Sequence, residues 1–277
     1  MSDHHAAGDD RKPASDHLSI TLLGTGTSTG IPVPTCTCEV CQSSDPRDKR
    51  LRCSCVVEIN GMSVLIDVGP DFRAQALRHD LKRVDAVLIT HEHFDHVAGL
   101  DDLRAYMLWN RTTLPVFASP RSAAELRRRY DYIFVDGSYP GVPKLQLIEI
   151  EDKFRVKSRY GTDESVDVAC VEVQHGALSI TGYRIGRFAY LTDASRLSEA
   201  SVRGLRGVDT VVLSALRHEP HPTHFTLDEA VEAARLIGAR KAYFIHMTHS
   251  ILHERDGAAL PAGFELGYDG LVMEVGQ

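Results

Sequence analysis

Residues 90–96 read THEHFDH, and no other stretch of the chain constrains its architecture so tightly. The apolar run VDAVLI at 84–89 just before it has the length and composition of a short buried strand, and the chain beyond it, VAGLDDLRAYMLWN, turns helical. On an extended loop His91 and His93 project to the same side and converge on one cation. Asp95 and His96, where the helix begins, face a second cation beside the first. Imidazole with carboxylate suits zinc, manganese or iron better than calcium. An H-x-H-x-D-H spacing is improbable by chance even with 14 histidines in 277 residues, so a merely solvated histidine-rich turn is the weaker reading.

Two cations need further ligands, and later strand ends offer them. His175 closes VEVQH, Asp193 closes YLTD and His246 closes YFIH, each after an apolar run that would bring it to a sheet edge. Taken singly each is an ordinary polar residue at a strand end; together they complete two sites.

Around these motifs the chain alternates strands and helices. LSITLLGTGTSTG (18–30) is a strand entering a glycine-rich loop, but IPVP follows, and two prolines rule out the helix that a phosphate-cradling loop requires. Asn60-Gly61 between two apolar runs predicts an antiparallel hairpin with a type I′ turn, and Cys53 and Cys55 on its first strand read as buried small apolar residues. Strands are expected in LPVFAS, LQLIEI, VDVACVEVQH, TGYRIG, FAYLTDA, DTVVLSA and KAYFIHM, and helices in PRSAAELRRRY and FTLDEAVEAARLIG. In the latter, Thr226 and Glu229 form a capping box and Gly238 is the stop. No repeat or linker divides the chain, so the expectation is a disordered tail over 1–17 and one domain over 18–277, with two packed sheets and helices outside. The segment 131–160 carries no feature from which a role can be read.

A net charge of −7 disfavours a broad nucleic-acid surface. No apolar run approaches the ~20 residues that span a bilayer, and the polar N-terminus lacks the apolar core of a secretory signal. With six cysteines, that points to a reducing cytoplasm, where clustered thiols bind metal more often than they pair. Three of them crowd PTCTCEVCQ (34–42) as Cys36, Cys38 and Cys41. Cys38 and Cys41 have the spacing of a redox dithiol, but the glycine–proline loop is the wrong setting for one. A structural metal site would need a fourth ligand from elsewhere.

LIDVG, THEHFDHVAGL and the later His, Asp and His in that order resemble the metallo-β-lactamase fold superfamily over nearly all of the chain after its tail. The resemblance implies an α/β αββα sandwich of two mixed sheets with a dinuclear site at one edge. It assigns His91, His93 and His175 to one metal, Asp95, His96 and His246 to the other, and Asp193 to both, with Asp67 supporting from behind. Two cations about 3.5–4 Å apart activate water for attack on phosphorus, and the leaving alkoxide then needs a general acid. RHEPHPTHFTLDEA offers His218, His221 and His224. The chain is similar in particular to the PhnP-like cyclic phosphodiesterases, in which a histidine just before such a helix is catalytic. That position is His224, expected to act with Asp95. The same family binds a structural zinc through C-x-C-x-x-C and a histidine three residues beyond the last active-site histidine, which here is His249, with His253 the competing choice.

The function so implied is metal-dependent hydrolysis of a small cyclic phosphodiester, such as a ribose cyclic phosphate, with two zinc or manganese ions, one structural zinc and a homodimer. A tRNA 3′-processing nuclease shares the fold and ligand order, but no basic, glycine-rich arm is evident. A zinc-knuckle docking module is the non-enzymatic alternative.

Overall fold

The computed structural model describes residues 17–108, 112–134 and 141–276. The tail expected over 1–17 therefore lies outside the described residues except for its last position. His17 already belongs to the first strand, where it pairs with Gly276. Part of the unassigned segment, 135–140, also lies outside them.

Fourteen strands are described: β1 (His17–Gly24), β2 (Ser54–Ile59), β3 (Met62–Ile66), β4 (Ala86–Leu88), β5 (Leu114–Ala118), β6 (Leu145–Glu149), β7 (Lys153–Lys157), β8 (Ser165–His175), β9 (Leu178–Ile185), β10 (Phe188–Leu191), β11 (Thr210–Ser214), β12 (Lys241–Ile245), β13 (Phe264–Leu266) and β14 (Val272–Gly276). They form two seven-stranded mixed sheets, ordered β14-β1-β2-β3-β4-β5-β6 and β13-β12-β11-β10-β9-β8-β7.

Period-two alternation divides the apolar side chains between layers. Leu18, Ile20, Leu22, Cys55, Val57 and Leu88 from the first sheet pack against Tyr183, Phe188, Tyr190 and Val212 from the second. The alternate residues Val56, Leu65, Val87 and Val116 face outward onto Phe72, Ala123 and Leu126 of the helices Phe72–Arg78 and Pro120–Arg129. On the opposite side Val211, Leu213 and Phe244 cover Ala230, Ala234 and Ile237 of the helix Leu227–Ile237. Central strands buried on both faces explain why TVVLS and MSVLI read as continuous apolar runs. The result is the expected α/β sandwich with a helical layer on each side.

Local expectations meet the backbone directly. Asn60 and Gly61 both have positive φ (50° and 70°), as a type I′ turn demands, between the antiparallel β2 and β3. Thr226 and Glu229 cap reciprocally, and Gly238 closes that helix at φ 80°. Cys53 and Cys55 are buried in the core between the sheets.

One element departs from expectation. The chain after His96 is broken into a turn of helix (Phe94–Val97), a 3₁₀ stretch (Leu100–Arg104) and a second turn (Ala105–Leu108). Tertiary pairing explains the break: the N–H of Val68 bonds His96 O and the N–H of Gly99 bonds Val68 O, diverting groups that a continuous helix would use.

Candidate metal centre

The strands β3 and β4 run parallel, so the residues after them, Asp67 and Thr90–His96, emerge at one sheet edge. In the second sheet β10, β11 and β12 are parallel, which brings Asp193 and His246 to one edge. His175 ends β8 beside them. Three of these residues, Asp67, Asp193 and His246, hold left-handed backbone at φ 60°, 54° and 60°. Non-glycine residues rarely adopt it, and here it turns each side chain off its strand and into the cleft.

Asp67 organises its half of the site while fully buried. It accepts from Thr90 N and Thr90 Oγ1 (both 2.8 Å) and lies 2.7 Å from His96 Nδ1. That contact turns Nε2 of His96 into the cleft. Thr90 Oγ1, its hydrogen directed at Asp67, stands 3.1 Å from His91 Nδ1 and leaves His91 Nε2 facing inward. The opposite half has its own support: Thr223 O is 2.8 Å from His175 Nδ1, and Thr192 Oγ1 donates to Asp193 Oδ2 at 2.7 Å.

Glu92, inside the motif but read past in the sequence, is a clamp. Its buried carboxylate accepts from Arg121 Nε (3.0 Å) and Ser122 Oγ (2.9 Å), and its carbonyl accepts from Arg129 Nη1. The helix Pro120–Arg129 thereby pins the histidine loop. Only its spacing from residues 121 and 122 in the fold reveals this, and spacing in the chain gives no hint.

The inward atoms converge. Side-chain donors of His91, His93 and His175 lie within 4.8 Å of one another, as do those of Asp95, His96 and His246, and those of His91, His96 and Asp193. His96 Nε2 is 3.2 Å from Asp193 Oδ2 and 3.4 Å from Asp95 Oδ2, while His246 Nε2 is 3.2 Å from Asp193 Oδ1. Asp193 thus stands between the histidine groups. His96 Nε2 and both ring nitrogens of His246 are buried without a hydrogen-bond partner.

Electrostatics agree with a site built for cations. Burial opposes charge on His96, yet Asp193, Asp67 and Asp95 outweigh it and hold the imidazolium well above its usual range. Burial also opposes the Asp193 carboxylate, but His246 and His96 keep it ionised. His91, buried and beside His96, is driven the other way and stays neutral. Histidine nitrogens without hydrogen-bond partners beside buried carboxylates are a donor set that divalent cations with nitrogen and oxygen ligands would accept, with His96 giving up its proton on binding.

The three histidines proposed for acid catalysis separate. His218 lies 3.5 Å from Asp256, away from the cluster. His224 stacks on His246 with centroids 4.8 Å apart and lies 4.6 Å from His175, its buried Nδ1 unpartnered and 3.8 Å from Asp193 Oδ1. Burial first, then His246, push it down to about 3, so its ring is neutral in the free protein. His221 sits 5.2 Å from His224 on the outer side.

A separate group joins Cys36, Cys38 and Cys41 to His249. The three sulfurs lie 3.1, 3.4 and 3.7 Å from His249 Nδ1. Burial first raises Cys41 to about 11, whereas the Cys41 backbone N–H, ahead of neighbouring side chains, lowers Cys38 to about 6. His253 is not in this group; its ring packs edge-on to Tyr268. The cysteine loop and the His246 segment are joined through the glycine loop, where Thr27 N bonds Met247 O and Met247 N bonds Thr25 O. A wholly buried Arg50–Asp48 pair adds a second tie: Arg50 reaches Thr248 O, and Asp48 accepts from His253 N. Both groups of side chains could hold metal ions.

Residues 62–247 match the Beta-lactamase superfamily domain, and the chain belongs to that superfamily. Its two seven-stranded sheets and the edge cluster are those of the metallo-β-lactamase fold. A diphosphatase of the PhnP family superposes with a TM-score of 0.85 at 41% identity, covering 94% of this chain and 97% of its own. An octanoyltransferase of Porphyromonas gingivalis is 40% identical over 259 residues and covers 92% of this chain, which spans 51% of that protein's length. Zn²⁺-bound PqqB from Methylobacterium extorquens shares the fold at 21% identity with a TM-score of 0.72, covering 92% of this chain and 99% of its own.

Proposed function

We propose that the chain hydrolyses a phosphodiester bond in a small substrate, a cyclic phosphate foremost. In this reading His91, His93 and His175 hold one divalent cation, Asp95, His96 and His246 a second, and Asp193 serves both, with Asp67 orienting His96 from behind. Cations so held, zinc or manganese, would lower the pKa of water and screen phosphoryl charge. The cysteines with His249 would hold a structural zinc.

The observation that carries the reading is His224, an unpartnered, nearly buried imidazole stacked against the donor cluster. In this reading it protonates the leaving oxygen. Neutral in the free protein, the ring gains a proton when the anionic phosphoryl group settles beside it and offsets the burial that keeps it uncharged. Asp95 and Asp193 keep that region anionic until cations occupy it.

The 41%-identical diphosphatase supports a second substrate class, a phosphoanhydride. Leaving-group basicity separates the two. An alkoxide needs the His224 proton, whereas a phosphate departs without it. His224→Ala should therefore lower turnover of cyclic alkyl phosphodiesters roughly 10²–10⁴-fold while sparing aryl diesters and diphosphates. Steady-state rates on such a panel test this; an equal loss on all substrates would remove His224 as the acid.

A further inference from the structure

His221 is held in one tautomer by its own loop. The backbone N–H of Thr223 donates to His221 Nδ1 at 3.3 Å, and Thr223 Oγ1 lies 3.2 Å from the same atom. A nitrogen that accepts a backbone N–H cannot carry a proton itself, so the neutral ring must bear its hydrogen on Nε2. Burial first and the Arg217 charge next hold the ring below its ordinary range, which agrees with that geometry. Among the described residues no acceptor meets Nε2. The rings of His246, His224 and His221 follow one another outward at centroid spacings of 4.8 and 5.2 Å. Among the described residues, only His224 makes a ring contact with His221. His221 therefore stands one side chain beyond the proposed acid, farther out from the donor cluster.

The loop that places it is tied to the donor cluster. Thr223, which fixes the His221 ring, also offers its carbonyl to His175. Gly176, at φ 60°, lets that loop close down, since a Cβ there would come within 2.7 Å of Thr223 Cγ2.

We infer that His221 Nε2–H is a substrate-binding donor that recognises an acceptor oxygen on the leaving group, next to the bond that is cut. This rests on the phosphodiesterase reading above. It sets a preference for leaving groups bearing a hydroxyl or other oxygen close to phosphorus over bare aryl groups. A proton-relay role is disfavoured, because Nδ1 is occupied and cannot take up the proton that Nε2 would release.

The test compares wild type, His221→Ala and His221→Gln, metal-loaded, on uridine 2′,3′-cyclic phosphate and bis(4-nitrophenyl) phosphate. His221→Ala should lose about tenfold in kcat/KM on the cyclic nucleotide, chiefly through KM, and little on the aryl diester. His221→Gln, whose amide N–H replaces Nε2–H, should recover part of the loss. The pH profile should keep its shape in both variants, and ¹⁵N NMR of the free protein should show the Nε2–H tautomer. Turnover with equal losses on both diesters, or an Nδ1–H tautomer, would overturn the inference alone. Absence of wild-type turnover on either diester would overturn the phosphodiesterase reading and the role of His221 with it.

Discussion

Asp67 shows how much one buried carboxylate can organise. It accepts two hydrogen bonds from Thr90 and faces the ring of His96, so two histidines take their orientation from it. Asp67→Asn removes the charge that keeps the inner His96 nitrogen basic. Metal affinity should fall about 10–100-fold with the fold intact, measured by competition with a chelating indicator. His253 gives a second prediction at this scale. Burial first, then Arg47 and Arg50, lower it to about 4, so the folded state refuses a proton that the unfolded chain accepts from its ordinary 6.5 downward. Its contribution is fully present above pH 6.5 and is lost as pH falls from there through 4. Thermal melts of wild type against His253→Gln across that window should show a shallower loss in the variant. Parallel curves would acquit His253.

The elements carrying the site are short, and close approach rather than propensity sets their course. At Gly99, where the chain after His96 breaks, a Cβ would stand 2.3 Å from Gly69 O and 2.9 Å from Phe72 Cβ. Gly99→Ala should therefore push the histidine loop off the Asp67 turn, costing about 1–3 kcal/mol of stability and a measurable share of metal affinity. Urea unfolding beside metal titration checks both. The helix Leu227–Ile237 is the opposite case. Its capping box and terminal glycine are local signals, which is why its ends could be read from the chain alone.

At the scale of the molecule, the donor cluster joins the two sheets. His91, His93, Asp95 and His96 follow β4, whereas His175, Asp193 and His246 come from β8, β10 and β12. Cations held there would bind the native state and not the unfolded chain, adding about 2.7 kcal/mol at a hundredfold excess over Kd. Chelation should accordingly lower Tm, and readdition should restore it. Cys38→Ala should lose one equivalent of zinc by elemental analysis and loosen the His246 segment, leaving the other metals in place. Loss of every metal together would argue against two separate sites.

Alternation, a hairpin dipeptide, a capping box and one dense histidine motif were enough to indicate the layered α/β sandwich and to name the residues that meet at its edge. These are local signals, set by side-chain period and backbone preference. The left-handed turns at Asp67, Asp193 and His246, the Glu92 clamp, the buried Arg50–Asp48 pair and the outward row of imidazoles ending at His221 were not legible there. Their settings depend on contacts between segments far apart in the chain, as Arg50 with Thr248 and Asp48 with His253 show. Only packing the sheets together brings such groups within hydrogen-bonding distance and removes the water that would otherwise satisfy them.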